Sequence, residues 1–407
     1  MQEDLAGRGA DRELKKKCAM AGLFVCRLGP GPWIAEAKAH GVTIPGDVAP
    51  ESFDFFHEMI VHQEMARLGT PGFLDGLGGG YLISAPCVMH FGSESMKRSL
   101  GKELLLGDKQ SCLAISEPFA GSDVAAVRTT AKKTADGRHY IVNGVKKVHS
   151  RPRPSLFDAL TRLCRQWITE GMTADVFVTA VRTGGPGAKG ISMLVVERCD
   201  ELQTNLIKTT YSTAAGTSLV LYEDVKVPVE NLLGKEGQGF KLIMYNFNHE
   251  RWMIVQNLLG LARAAIGDAL MWSKQRKVFG KELVAQPVIR YKLANSIAAL
   301  ESVYCMLESA TYDMCQDKDG PMSARMGAKI ALLKYHATRT CWTIADDTVQ
   351  ILGGRGITKT GMGFKVENFK NFAKYAAVYG GSEEIMADLA IKTALKSWPA
   401  DTNAAKL

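Results

Sequence analysis

Beyond Gly239 the apolar residues recur at helical spacing over four long segments, roughly Phe240–Gln275, Pro287–Cys315, Met322–Gly353 and Glu383–Lys396. Helices of that length bury their apolar stripes against one another, so this end of the chain is expected to be a bundle. Between Cys112 and Val227 the period shortens to strand-like runs: His139–Val142, Asp175–Val181, Ile191–Val196 and Ser218–Leu221. Asp136-Gly137 and Asn143-Gly144 are turn dipeptides between such runs. From Asp11 to about Gly107 the pattern is again helical. There Phe53, Phe56, Ile60 and Met65 form an apolar stripe, and Gly69, Pro71, Gly72 and then Gly78-Gly79-Gly80 punctuate the segments. Helices, strands and helices in succession read as α+β, with expected domains at 1–110, 111–230 and 231–407.

At 407 residues and 46% hydrophobic content the chain can bury a large core. No apolar run approaches the roughly 18 residues of a membrane span, and Met1-Gln2-Glu3-Asp4 lacks the basic and apolar regions of a signal peptide. A soluble protein with no membrane partner is expected. The net charge of +8 is spread along the chain without a basic block, which suits attraction for an anionic ligand and not a nucleic-acid face. Nine cysteines show no Cys-x-x-Cys pair, so reduced thiols are expected. His57 and His62 lie off a common helix face, and no metal site is expected. No glycine fingerprint follows a strand and opens a helix, so a nicotinamide-binding fold is not indicated.

The stretch Cys112–Asp123 runs Cys-Leu-Ala-Ile-Ser-Glu-Pro-Phe-Ala-Gly-Ser-Asp. Its apolar start reads as a buried strand, which Pro118 ends because proline cannot donate to a ladder. Ser116, Gly121 and Ser122 then place small side chains and free N–H groups around one point, which suits a polarised heterocycle or a phosphate. Taken alone, such a loop after a strand is more often just a turn. The stretch, however, resembles the flavin-contacting strand and loop of the acyl-CoA dehydrogenase family, and further matches follow in order as far as Ile385. The resemblance implies N-terminal helices, a central β-barrel-like domain and a C-terminal four-helix bundle through which subunits associate as homodimers or homotetramers. It also implies FAD, with Ile115, Ser116, Gly121 and Ser122 near the flavin, Ser122 also near an acyl-CoA substrate, and electron-transfer flavoprotein or oxygen as acceptor.

Removing a proton from Cα of a thioester and a hydride from Cβ needs a carboxylate base on one face, a flavin on the other, and donors for the enolate oxygen. Where medium-chain relatives read Tyr-Glu-Gly-Thr, with the Glu as base, this chain has Tyr379-Gly380-Gly381-Ser382. The substitute is Glu250 in Asn246-Phe247-Asn248-His249-Glu250-Arg251-Trp252, which resembles the isovaleryl-type and long-chain-type members. Glu250 falls on the stripe of Phe240, Ile243, Phe247 and Ile254, where burial would raise its pKa toward that of a working base. A structural ion pair is the alternative reading. Gly380 is expected to offer its backbone N–H to the thioester carbonyl. Phe247, Arg251 and Tyr379 are grouped with it around the substrate, Arg251 in an architectural role.

Gln275–Lys281 resembles the family segment whose arginine, here Arg276, reaches the FAD pyrophosphate of a neighbouring subunit, with Phe279 beside it. A helix end capped by Gly280 is compatible with that role. Gln350, Gly353 and Gly354 resemble the stretch at the adenine end of the cofactor. Ser382 and Glu384 replace the family's Thr and Gln near the cofactor; the first keeps a hydroxyl and the second introduces a charge.

Departure from the family pattern is sharpest after Lys147. The expected Trp-Ile-Thr arrives only as Trp167-Ile168-Thr169, after nineteen residues, Val148–Gln166, that match nothing in the family. In relatives this Trp packs on the flavin and the Thr bonds near its reactive nitrogen. The segment is either a surface loop or a translated intron. The second reading is preferred, because Val can begin with GT, Gln can end with AG and Leu160-Thr161 can encode a branch point. Removing it restores Lys147-Trp167-Ile168-Thr169. The terminal Ala405-Lys406-Leu407 is a variant of the Ser-Lys-Leu peroxisomal address, so peroxisomal import is expected. Two rivals stand beside the dehydrogenase reading: a flavin oxidase or monooxygenase of the same fold on a non-thioester substrate, and an inactive acyl-CoA-binding or assembly protein.

Overall fold

The computed structural model describes residues 9–144, 165–323 and 325–397. Most of Val148–Gln166, and the terminal Ala405-Lys406-Leu407, lie outside them. The chain forms two compact units, one of residues 1–53 and 72–246, the other of residues 54–71 and 247–407. Helices lead up to Leu105, strands run from Ser111 to Leu233, and helices resume at Gly239.

In the first unit, helices α1 (Arg12–Met20) and α2 (Pro32–Ala39) are joined by turns. The strands are β1 (Ser111–Ala114), β2 (Thr130–Lys133), β3 (His139–Asn143), β4 (Arg165–Ile168), β5 (Val176–Arg182), β6 (Ile191–Glu197), β7 (Leu202–Leu206), β8 (Ser218–Tyr222), β9 (Val225–Pro228) and β10 (Leu232–Leu233). Seven of them form one sheet in the order β10-β6-β5-β2-β3-β9, with β1 parallel to β5, and β4-β8-β7 form a second. Side chains from both sheets, among them Cys112, Tyr140, Phe177 and Val196 from the larger and Ile168, Leu202, Val220 and Tyr222 from the smaller, share one buried cluster. The alternation in β3, where Tyr140 and Val142 point inward, is what two packed sheets require.

The second unit begins with α3 (Phe55–Ala66), opened by a capping box in which Asp54 accepts from His57 N and the His57 ring accepts from Asp54 N. Met65 is buried as the apolar stripe requires, but Ile60 is 55% exposed. Helix α4 (Pro71–Phe91), in the first unit apart from its first residue, is broken at Gly78. Helix α5 (Gly239–Gln275) runs from the first unit into the second. Its most apolar 18-residue window reaches a mean hydropathy of 1.2, higher than the sequence reading allowed, yet 67% of it is buried inside the protein, as in a core helix. The long helices α6 (Pro287–Gln316), α7 (Met326–Leu352) and α9 (Glu383–Ser397) and the shorter α8 (Phe364–Ala376) complete this unit, with α7 packed against α6, α8 and α9. Trp252 Nε1 donates to Thr311 Oγ1 at 2.9 Å, fastening α5 to α6.

The turn after α5 corrects one expectation. The helix ends at Gln275, and Gly280 is not its cap; it sits with Phe279 at the tip of a hairpin between β11 (Lys277–Val278) and β12 (Lys281–Glu282). Both tip residues have positive φ, 50° and 76°, the geometry that two-residue hairpins favour. The eight described cysteines are all free, and no metal-binding cluster occurs among the described residues.

Candidate active site

Glu250 lies on the inward face of α5, where its carboxylate is removed from solvent and its Oε2 meets no hydrogen-bond partner among the described residues. Burial pushes its pKa up to about 7, against the opposing pull of Arg251, Lys334 and His249. A side chain built at Gly380 would bring its Cβ to 3.6 Å from Glu250 Oε1, so the loop Tyr379-Gly380-Gly381 borders the carboxylate. That same Cβ would lie 2.4 Å from Ile254 Cδ1, and Gly380 has φ +64°, a conformation that side chains resist. Position 380 is thus closed to a side chain, and its backbone lies beside the Glu250 carboxylate.

The residues grouped around Glu250 by sequence come together here. Arg251 Nε donates to Gly380 O at 3.1 Å and its Nη1 to Asn248 Oδ1 at 3.3 Å, while its guanidinium covers the Phe247 ring. Tyr379 stacks on Tyr375 with centroids 4.4 Å apart. From the preceding position on α5, His249 Nε2 lies 2.8 Å from Glu58 Oε1, and His62 Nε2 shares that oxygen at 3.3 Å. Although burial alone would raise the Glu58 pKa, the two histidines hold it down at about 2, so it remains ionised. The Glu58 and Glu250 carboxyls are thereby given very different pKa values, one low enough to stay ionised and one able to take a proton near neutrality.

One residue that sequence reasoning passed over completes this part. Lys334 of α7 is buried and donates to Tyr379 O at 2.8 Å and to Gly381 O. Its signal was present: it continues the stripe of Ile330, Ala337 and Cys341, all buried, where a cation is out of place.

In the first unit, the loop after β1 is tied down from inside. Glu117 accepts from Arg128 N at 2.8 Å, Thr129 N at 2.9 Å and Thr129 Oγ1 at 2.6 Å. Gln166 N donates to Ser116 O at 3.0 Å, so the structure brings Ile115-Ser116 and Trp167-Ile168 side by side. The pairing of β4 with β8 is irregular between Arg165 and Ile168, and Trp167, at φ 62°, turns an indole 60% exposed out of the strand while Ile168 is buried. Thr169 is half-buried, and Gly121 and Ser122 are exposed, with nothing within 4 Å of a Cβ built at Gly121. The strand is anchored by a residue not anticipated: Glu170, buried, accepts from Lys15 Nζ at 2.6 Å and Gly80 N at 2.8 Å.

In the second unit, Arg276 Nη1 approaches Gly353, 3.8 Å from where its Cβ would be, and Gly354 has open space where a Cβ would stand. Arg355, also unanticipated, places its guanidinium 4.4 Å over the Trp272 ring, with that of Arg276 5.8 Å from it. Two cations beside accessible glycine backbone suit a diphosphate. Gln350 is exposed, and Phe279 projects from its hairpin 95% exposed. Ser382 and Glu384 interact with each other at the start of α9, and the Glu384 backbone N–H, followed by the Ser382 hydroxyl, lowers the pKa of exposed Glu384. That places the glutamate's charge in a helix-capping arrangement.

A family model described as the acyl-CoA dehydrogenase C-terminal domain matches residues 237–395. Acyl-CoA dehydrogenase apdG of Emericella nidulans is 36% identical over 374 residues, covering 91% of this chain and 80% of that relative. Mitochondrial isobutyryl-CoA dehydrogenase of Bos taurus is 30% identical over 308 residues, covering 75% of this chain and 67% of the relative. Butyryl-CoA dehydrogenase from Megasphaera elsdenii has the same fold, with a TM-score of 0.77 at 24% identity over 97% of this chain and 92% of its own.

Proposed function

From membership of the acyl-CoA dehydrogenase family, to which this chain belongs, we infer that it converts an acyl-CoA thioester to the trans-2-enoyl thioester, with Glu250 as the base. Members of this family are FAD-dependent oxidoreductases acting on CH–CH donors. Each unit by itself carries residues that suit part of that cofactor: in the first, exposed Trp167 offers a ring and Ser116, Gly121, Ser122 and Thr169 small polar contacts for a flavin; in the second, Arg276 and Arg355 offer charge beside Gly353 and Gly354 for a diphosphate. FAD, when bound, supplies the acceptor for the β-hydride.

The observation that carries the assignment of the base is the buried, unpartnered Glu250 Oε2 beside a position 380 that has no side chain of its own. Ionised, this oxygen takes the pro-enolate proton from Cα, and the displaced charge runs toward the thioester oxygen. The Gly380 N–H is the donor assigned to that oxygen, and it needs no side chain to act. A pKa of about 7 keeps the carboxylate basic enough to accept the proton and acidic enough to be ionised near neutrality. Aromatic residues lie nearby in the chain, Phe247 under the Arg251 guanidinium and Tyr375 stacked on Tyr379, which supports an apolar acyl chain as the substrate's other part.

The test is anaerobic mixing of the holoenzyme with butyryl-, isobutyryl- and octanoyl-CoA, followed by flavin absorbance. Bleaching by at least one thioester, lost in Glu250→Gln, is the expected result. Bleaching that persists in Glu250→Gln would overturn the assignment of the base. A purified protein that holds no flavin would favour an acyl-CoA-binding or assembly role.

A further inference from the structure

The loop bordering Glu250 contains two consecutive glycines at φ +64° and +97°, a backbone with little stiffness of its own. Its three successive carbonyls are nevertheless each held by a buried cation: Tyr379 O and Gly381 O by Lys334 Nζ, and Gly380 O by Arg251 Nε. A peptide group is planar and trans, so the C=O of one residue and the N–H of the next point in opposite directions. Fixing Tyr379 O therefore fixes the direction of the Gly380 N–H.

We propose that Lys334 is a positioning residue of the reaction: by holding the carbonyls on either side of Gly380 it aims the Gly380 N–H at the thioester oxygen, and while protonated it places a positive charge beside Glu250. This inference rests on the dehydrogenase reading above. Burying an amine between helices is unfavourable unless its protons are satisfied, and here the acceptors that satisfy them belong to the loop bordering the base. The groups facing Lys334 are Arg251 and Glu250 from α5 and Glu383 and Glu384 from α9; those facing Glu250 are Arg251, His249 and Lys334. Burial and Arg251 bring Lys334 down to about 7, and the amine still has N–H groups for both carbonyls when neutral.

Full-length holoenzyme carrying Lys334→Met is compared with wild type by amide hydrogen exchange over 379–382 and by anaerobic bleaching with butyryl-, isobutyryl- and octanoyl-CoA across pH. The expected results are faster exchange in that segment, bleaching slowed by about 10²-fold, the loss typical of one oxyanion donor, and an acid limb moved to higher pH because a cation near Glu250 is gone. Lys334→Gln, which keeps two N–H donors without the charge, should regain exchange protection and most of the rate while retaining the displaced acid limb. A folded Lys334→Met protein with wild-type exchange, rate and acid limb would overturn the inference and leave the assignment of Glu250 standing. A wild-type holoenzyme that none of the thioesters bleaches would overturn the underlying reading and this inference with it.

Discussion

Replacing Glu250 with glutamine will remove activity and yet stabilise the protein above neutral pH. The carboxyl titrates at about 7 in the folded chain against 4.5 in the open, because burial penalises its charged form. A raised pKa means that the folded state holds the proton more tightly than the unfolded state. The carboxyl therefore imposes no ionisation penalty below the unfolded value of 4.5, and the penalty grows as pH climbs to about 7 and is constant beyond. At about 1.4 kcal/mol per pKa unit, the full penalty is on the order of 3 kcal/mol. Glutamine cannot ionise and escapes it. In a unit of this size, each kcal/mol moves the melting midpoint by roughly 2–4 °C, so the difference should be roughly 6–12 °C at pH 8.

The assay is thermal melting of wild type and Glu250→Gln, both as holoenzyme without substrate, from pH 4.5 to 8.5. The two curves should converge at the acid end and separate as pH rises. Glu58 supplies a control of opposite sign: held at about 2 by His249 and His62, it contributes stability that is present above 4.5 and lost toward 2, so Glu58→Gln should lower the melting midpoint throughout the range. A constant offset between wild type and Glu250→Gln, or a variant less stable at pH 8, would refute the claim that burial outweighs the surrounding cations at Glu250.

Gly380→Ala should destabilise by about 2–4 kcal/mol in chemical denaturation, from the positive φ and the 2.4 Å approach to Ile254 Cδ1; adding Ile254→Ala should recover only the steric part. Lys15→Met, which leaves Glu170 buried without its cation, should cost about 3 kcal/mol in urea unfolding and weaken FAD retention, since Glu170 follows Trp167-Ile168-Thr169 directly; unchanged retention would separate this ion pair from the cofactor strand. Amplifying the transcript across Lys147 and Trp167 should give a product 57 nucleotides shorter than the open reading frame, three for each of the nineteen residues Val148–Gln166. A full-length product alone would make the segment a true insertion ahead of Trp167.

The long helices were legible because their apolar stripes persist for many turns: Phe240–Gln275 was expected and Gly239–Gln275 is found. Helix α8 was passed over, although Val366, Phe369, Phe372 and Ala376 form its buried stripe, because lysines interrupt it and a glycine-rich segment precedes it. Glu250 could be located because a carboxylate on an apolar stripe is anomalous in one dimension. Lys334 is the same kind of anomaly, but its partners are main-chain carbonyls forty-five and forty-seven residues away, and backbone acceptors leave no trace in side-chain identity. The hairpin at Phe279-Gly280 was read as a helix end for a related reason, since a glycine after a helical run signals chain reversal without specifying which kind.

The absence of a side chain at 380 and the presence of a carboxylate at 250 are physically one choice. A base can approach the bordering loop from α5 only if that loop has nothing of its own in the way. Here Ile254, one turn beyond Glu250 on the same face, fills the space that a side chain at 380 would need. Returning a glutamate to position 380 would therefore require Ile254 to shrink and the backbone to leave φ +64°, which in turn would disturb the carbonyls that Lys334 and Arg251 hold. Gly380→Glu combined with Glu250→Gly should accordingly fail to restore bleaching by any acyl-CoA in the panel, and Ile254→Ala added to that pair should restore part of it. If the two-residue exchange alone recovered the wild-type rate, the packing around Ile254 would not be what keeps the base on α5.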